Sequence, residues 1–147
     1  MADKKGEAMN TSFEEKSVWV QLISLVVIFG GYFAVAGFMM ADGVPALIAY
    51  VPLFTVSIVL LVIMLTAGHI VAVCFGKPEG RDERDRLIEW RADSVASHVL
   101  GGGVLIAITG MIFEFNNVWI AHFLFLLMFL SEVLKLTMQL VYYRRGV

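Results

Sequence analysis

Four long apolar runs, separated by short polar breaks, dominate the chain. They cover about residues 18–41, 46–75, 94–113 and 118–143. The first contains no charged residue, and about 20 apolar residues are enough to cross the hydrocarbon core of a bilayer. Each run is therefore expected to be a transmembrane helix. Asp42-Gly43-Val44-Pro45 and Glu114-Phe115-Asn116-Asn117 predict tight turns between the first and second runs and between the third and fourth. Pro52 lies early in the second run, where it can bend the helix at small cost. Ser12 with Glu15 fits a capping box at the start of the first helix. Residues 1–11 are expected to be a polar tail, and residues 12–147 a single membrane domain.

The middle break is different. Residues 77–93, KPEGRDERDRLIEWRAD, carry eleven charges, six acidic and five basic. Gly76 and Pro78 end the second helix in the usual order. Asp82 is a good N-cap, and Asp82 with Arg86 is an i,i+4 pair of opposite charge. The third helix is thus predicted to begin at Asp82 and run unbroken into the third span. The expected fold is an all-α four-helix transmembrane bundle with that helix extended into the cytoplasm.

Composition supports the membrane reading. Of the 147 residues, 59% are hydrophobic, more than a soluble domain of this length can hide. The net charge of −2 argues against a nucleic-acid partner. The single cysteine, Cys74, excludes an intramolecular disulfide and a CxxC redox motif. The first run has no small-residue cleavage site, so a removed signal peptide is not expected. Lys and Arg set the orientation. They are absent from both tight turns, and present at Lys4, Lys5, Lys16, Lys77, Arg81, Arg84, Arg86, Arg91, Arg144 and Arg145. The positive-inside rule then puts both termini and the charged segment in the cytoplasm.

Small residues mark faces for close packing. Gly30, Ala34, Gly37 and Ala41 share one helical stripe, and Ser97 with Gly101 forms a small-xxx-small pair. Trp19 and Gly30-Gly31 recur as Trp90 and Gly101-Gly102 at an offset of 71. This suggests two helical hairpins repeated in parallel.

Ionisable residues inside spans are candidates for function, because each is costly to place there. They are His69, His98, His122, Glu132 and Lys135. Helix rise sets His69, His98, Glu132 and Lys135 at similar depth near the cytoplasmic side. Three readings compete for these four. Glu132 pairs with Lys135 or a histidine and fixes helix register; or Glu132 titrates in a proton or cation pathway lined by His69 and His98; or His69 and His98 ligate haem or a metal. His122 is expected at the opposite interface. Ser131 and Lys135 are at dyad spacing, but no oxyanion element, GxSxG, HExxH or P-loop accompanies them. No enzyme activity and no cofactor is expected under the first reading. The charged segment is expected either to pair internally with Glu14-Glu15-Lys16 or to dock a partner.

Asp82-Glu83-Arg84-Asp85-Arg86-Leu87-Ile88, followed by Arg91-Ala92, resembles the hallmark of a family of small bacterial integral membrane proteins. Those proteins have four spans and a DERxxxI box in the central cytoplasmic loop. The family has no established activity. Some members look like neighbours of small helix-turn-helix regulators, which implies a sensing or regulatory role. The resemblance implies that Asp82, Glu83, Arg84 and Ile88 matter more than the intramembrane histidines. The expected setting is the bacterial inner membrane, in contact with lipid. The expected partner is a second copy of the chain or a cytoplasmic or membrane protein.

Overall fold

The computed structural model describes residues 13–75 and 83–145, without the side chains at 13, 14, 69 and 71–75. The expectations for the tail, Ser12, Gly76, Pro78 and Asp82 lie outside the described residues. The fold is an all-α bundle of four long helices: α1 (Phe13–Ala41), α2 (Val51–Phe75), α3 (Glu83–Ile112) and α4 (Asn117–Arg145). A single 3₁₀ turn, Leu47–Tyr50, leads into α2. Pro52 therefore stands in the first turn of α2, where its missing N–H costs nothing, and the helix runs on to Phe75. Each of the four helical segments is long and apolar enough to cross a bilayer, and large apolar side chains cover the outer surface. This is the form of a multi-pass membrane protein.

The third helix is continuous from Glu83, as the charge-then-apolar pattern predicts. At 1.5 Å per residue its 30 residues span about 45 Å. That exceeds the roughly 30 Å hydrocarbon core by about three turns.

Helix packing runs in the order α2, α1, α4, α3; no comparable seam joins α2 to α3. The two hairpins meet through α1 and α4. Val18, Leu25, Phe29, Tyr32 and Ala36 of α1 pack with Val118, Leu136 and Leu140 of α4 and with Tyr50. Phe29 makes edge contacts with Phe125 (5.1 Å) and tilted ones with Phe129 (5.6 Å). α2 and α3 therefore stand at opposite ends of the packing order.

The endings of α1 and α3 match at the offset of 71. At the end of α1, Gly43 N–H bonds to Met40 O, and Val44 N–H to Met39 O; at the end of α3, Glu114 N–H bonds to Met111 O, and Phe115 N–H to Gly110 O. Gly43 (φ 77°) and Glu114 (φ 56°) take the left-handed conformation that this helix ending demands. Buried positions coincide as well: Ser17 with Ile88, Leu25 with Ala96, Tyr32 with Gly103, Ala36 with Ala107. The second turn adds a cap that the first lacks. Asn116 Oδ1 accepts the Val118 N–H (2.8 Å) at the start of α4.

The small-residue stripe on α1 faces away from the bundle. A Cβ on Gly30 or Gly37 would meet nothing within 4 Å, and Ala34 and Ala41 are exposed. Gly101 and Gly102 are equally open. The close helix contacts fall elsewhere, with Gly68 against Val20 and Gly103 against Leu127.

Candidate functional site

The two ends of the bundle carry different chemistry. At the charged end, Glu83 and Arg84 are exposed on the first turn of α3. One turn further, Ile88 and Ala92 are 0% exposed. The same helical face thus holds the extension onto the bundle while the charges stand in water. The termini of α1 and α4 are tied nearby. Arg144 Nε donates to Glu15 Oε1 at 3.5 Å, and its guanidinium lies 5.8 Å from the Trp19 ring centroid.

Among the described side chains, His98, Glu132 and Lys135 do not gather as one cluster. Lys135 Nζ pairs with Asp93 Oδ1 of α3 at 2.9 Å. Its ion-pair partner is thus neither Glu132 nor a histidine. Glu132 is exposed. It falls on the stripe of α4 that includes Phe125, Met128 and Gln139, spaced at three, four and seven residues. Phe125 and Met128 of that stripe line a cavity with α1 and the start of α2; Trp119, Phe123 and Leu126, on the opposite side of α4, line another with Phe33 and Met40. His98 is on the far side of α3, two residues (about 200°) from buried Ala96. It is exposed, and its Nδ1 contacts Ser94 O. It therefore lines no path with Glu132 within the chain. The His69 side chain lies outside the described residues. Among the described residues, no three His, Cys, Asp or Glu side chains converge as metal ligands. Ser131 is buried and donates to Met128 O (2.9 Å), directed away from a dyad with Lys135.

The turn end holds His122, at the depth its place in the sequence gives it, and its side chain is buried in the bundle, 6% exposed. Nδ1 donates to Val118 O (2.8 Å), one turn back on α4. That leaves Nε2 as the acceptor, 3.2 Å from the Tyr32 hydroxyl, which donates to it. The Tyr50 ring meets the imidazole edge-on at 4.6 Å, and its hydroxyl donates to Val44 O (3.2 Å). Three chain segments are thereby joined through one imidazole. Nothing in the sequence near His122 signals this. Its partners are 72 and 90 residues away, and only the hairpin packing brings them together.

A cavity of about 440 Å³ opens beside this group, walled by Tyr32, Tyr50, Phe54, His122 and Phe125. A more polar one of about 490 Å³ lies between the two turns, bounded by Pro45, Leu47, Glu114, Asn116 and Asn117. Compared with protein-family models, with curated proteins and with solved structures, the chain finds no match.

Proposed function

We propose that this chain is a non-enzymatic, multi-pass protein of the bacterial inner membrane, regulatory or accessory in role. Both termini and the charged segment face the cytoplasm, as the placement of Lys and Arg requires. Asp82, Glu83 and Arg84 form the docking surface for a cytoplasmic or membrane protein, and Ile88 fixes that surface to the bundle. One observation carries this reading. The helix that bears exposed Glu83 and Arg84 is continuous with a transmembrane span and is held by two fully buried residues, Ile88 and Ala92. A force on the charged turn is transmitted along a rigid rod to the α3–α4 seam. The test is Arg84→Glu in cells, with a photo-crosslinking residue at position 83. The variant should keep the wild-type thermal midpoint and lose a specific crosslink to a cytoplasmic partner. Unchanged crosslinking in the variant would refute the docking role.

A second reading is favoured by the position of Glu132. An exposed carboxylate on α4, about 22 Å from the start of that helix, is where a coupling group of a small proton- or cation-coupled transporter would stand. Such a transporter would need His69, or His98 of a second copy of the chain, to complete its path, because His98 of the same chain lies on the far side of α3. Uptake into proteoliposomes that is unchanged by Glu132→Gln across a substrate panel would remove it.

A further inference from the structure

The docking reading leaves the two cavities at the turn end unused, and their chemistry is specific. The first is within the size range of small-molecule pockets. Leu47, Val51 and Met128 at its mouth are exposed on the surface that meets lipid, whereas Tyr32, Tyr50 and His122 at its floor are buried. An occupant would therefore enter sideways from the bilayer. Leu47 lines both cavities, so the aromatic chamber and the polar one are neighbours.

Charge and hydrogen bonding select the occupant. Glu114 is the one formally charged side chain lining either cavity. The donors of the aromatic chamber are already engaged. Tyr32 donates to His122, His122 to Val118 O, and Tyr50 to Val44 O. In the second cavity the Glu114 carboxylate stands with the Asn116 and Asn117 amides, while Tyr32, Tyr50 and His122 leave a ligand in the first cavity their ring surfaces. An anion would be repelled, and a hydrogen-bond acceptor would find no free donor on these three side chains. A cation is attracted by both features. We propose that the turn end is a binding site for a membrane-soluble organic cation with an aromatic body. Its rings sit among Tyr32, Tyr50, Phe54 and Phe125, and its charge lies towards Glu114.

The test uses the full chain in dodecyl maltoside, with tetraphenylphosphonium as the probe and tetraphenylborate as an anion of the same shape. Equilibrium dialysis should show saturable binding of the phosphonium and none of the borate. Glu114→Gln, at an exposed turn position, should weaken phosphonium binding about fivefold. Ala121→Phe, which fills the chamber from α4, should abolish it. Equal binding of both ions, no binding of either, or full affinity in Glu114→Gln would overturn the proposal. Added phosphatidylethanolamine should leave phosphonium binding unchanged. Displacement would assign the site to an aminolipid headgroup and overturn the aromatic ligand. Arg84→Glu should bind as wild type, so this outcome is independent of the docking surface.

Discussion

A methyl group placed at Gly103 should destabilise the bundle by about 1–3 kcal/mol, the usual cost of overpacking a tight contact. Gly103 is buried on the face of α3 that packs against Leu127 of α4. A Cβ built there overlaps the methyl groups of Leu127 and stands 2.7 Å from its Cγ. Leu127 is half-buried and can turn part of the way aside, which keeps the expected cost of Gly103→Ala towards the lower part of that range. The neighbouring residue supplies the control. A Cβ on Gly102 meets nothing within 4 Å, so Gly102→Ala should gain up to about 1 kcal/mol of helix propensity. Two adjacent glycines in one helix should thus respond with opposite sign. The assay is unfolding in mixed dodecyl maltoside and SDS micelles, followed by tryptophan fluorescence. Leu127→Ala with Gly103→Ala should cost less than the two single changes together, with a coupling of about 0.5–3 kcal/mol. Strict additivity, or equal losses at Gly102 and Gly103, would show that the α3–α4 seam does not run through Gly103.

The remaining predictions address other contacts. Glu114→Gly should raise stability by about 1 kcal/mol and Gly43→Ala lower it by a similar amount, because both positions require positive φ and only one holds glycine; thermal midpoints of the two variants check the opposite signs. Ile88→Ala should cost about 2–5 kcal/mol by leaving a cavity at a fully buried site, whereas Arg84→Ala on the exposed turn should change the same unfolding midpoint by no more than about 0.5 kcal/mol. Tyr32→Phe should cost about 1–3 kcal/mol, since it leaves the buried Nε2 of His122 without its donor; an unchanged midpoint would mean that another group satisfies that nitrogen.

The matching endings of α1 and α3 show how far local signals reach. Trp-and-Gly-Gly recurrence at an offset of 71 is weak as a pattern, yet the hydrogen bonds that end α1 and α3 repeat at the same offset. The second copy uses Glu114 where the first uses Gly43, so no glycine marks the second turn. The continuity of α3 was legible because charged residues at 82–93 run into an apolar stretch with no Gly or Pro between them. The candidate cluster was much less legible. Equal depth put His98, Glu132 and Lys135 in one layer, but depth says nothing about direction around a helix. His98 turned out to lie on the far side of α3, and Lys135 to pair with Asp93.

Length, apolar composition and the position of charges determined by themselves that there are four spanning helices, where they turn, and that the third extends beyond the hydrocarbon core. Those properties are sums over a segment, and transfer into a bilayer depends on the sum. The tertiary structure decided which faces meet. It packed α1 on α4 and left α2 apart from α3; it turned the Gly30–Ala41 stripe outward, and it buried His122 between two tyrosines. In a bilayer the lipid is as apolar as the helix interior, so an apolar side chain does not reveal whether it faces lipid or a neighbour. Only close packing and the pairing of the few polar groups resolve that choice, and both depend on residues far apart in the chain.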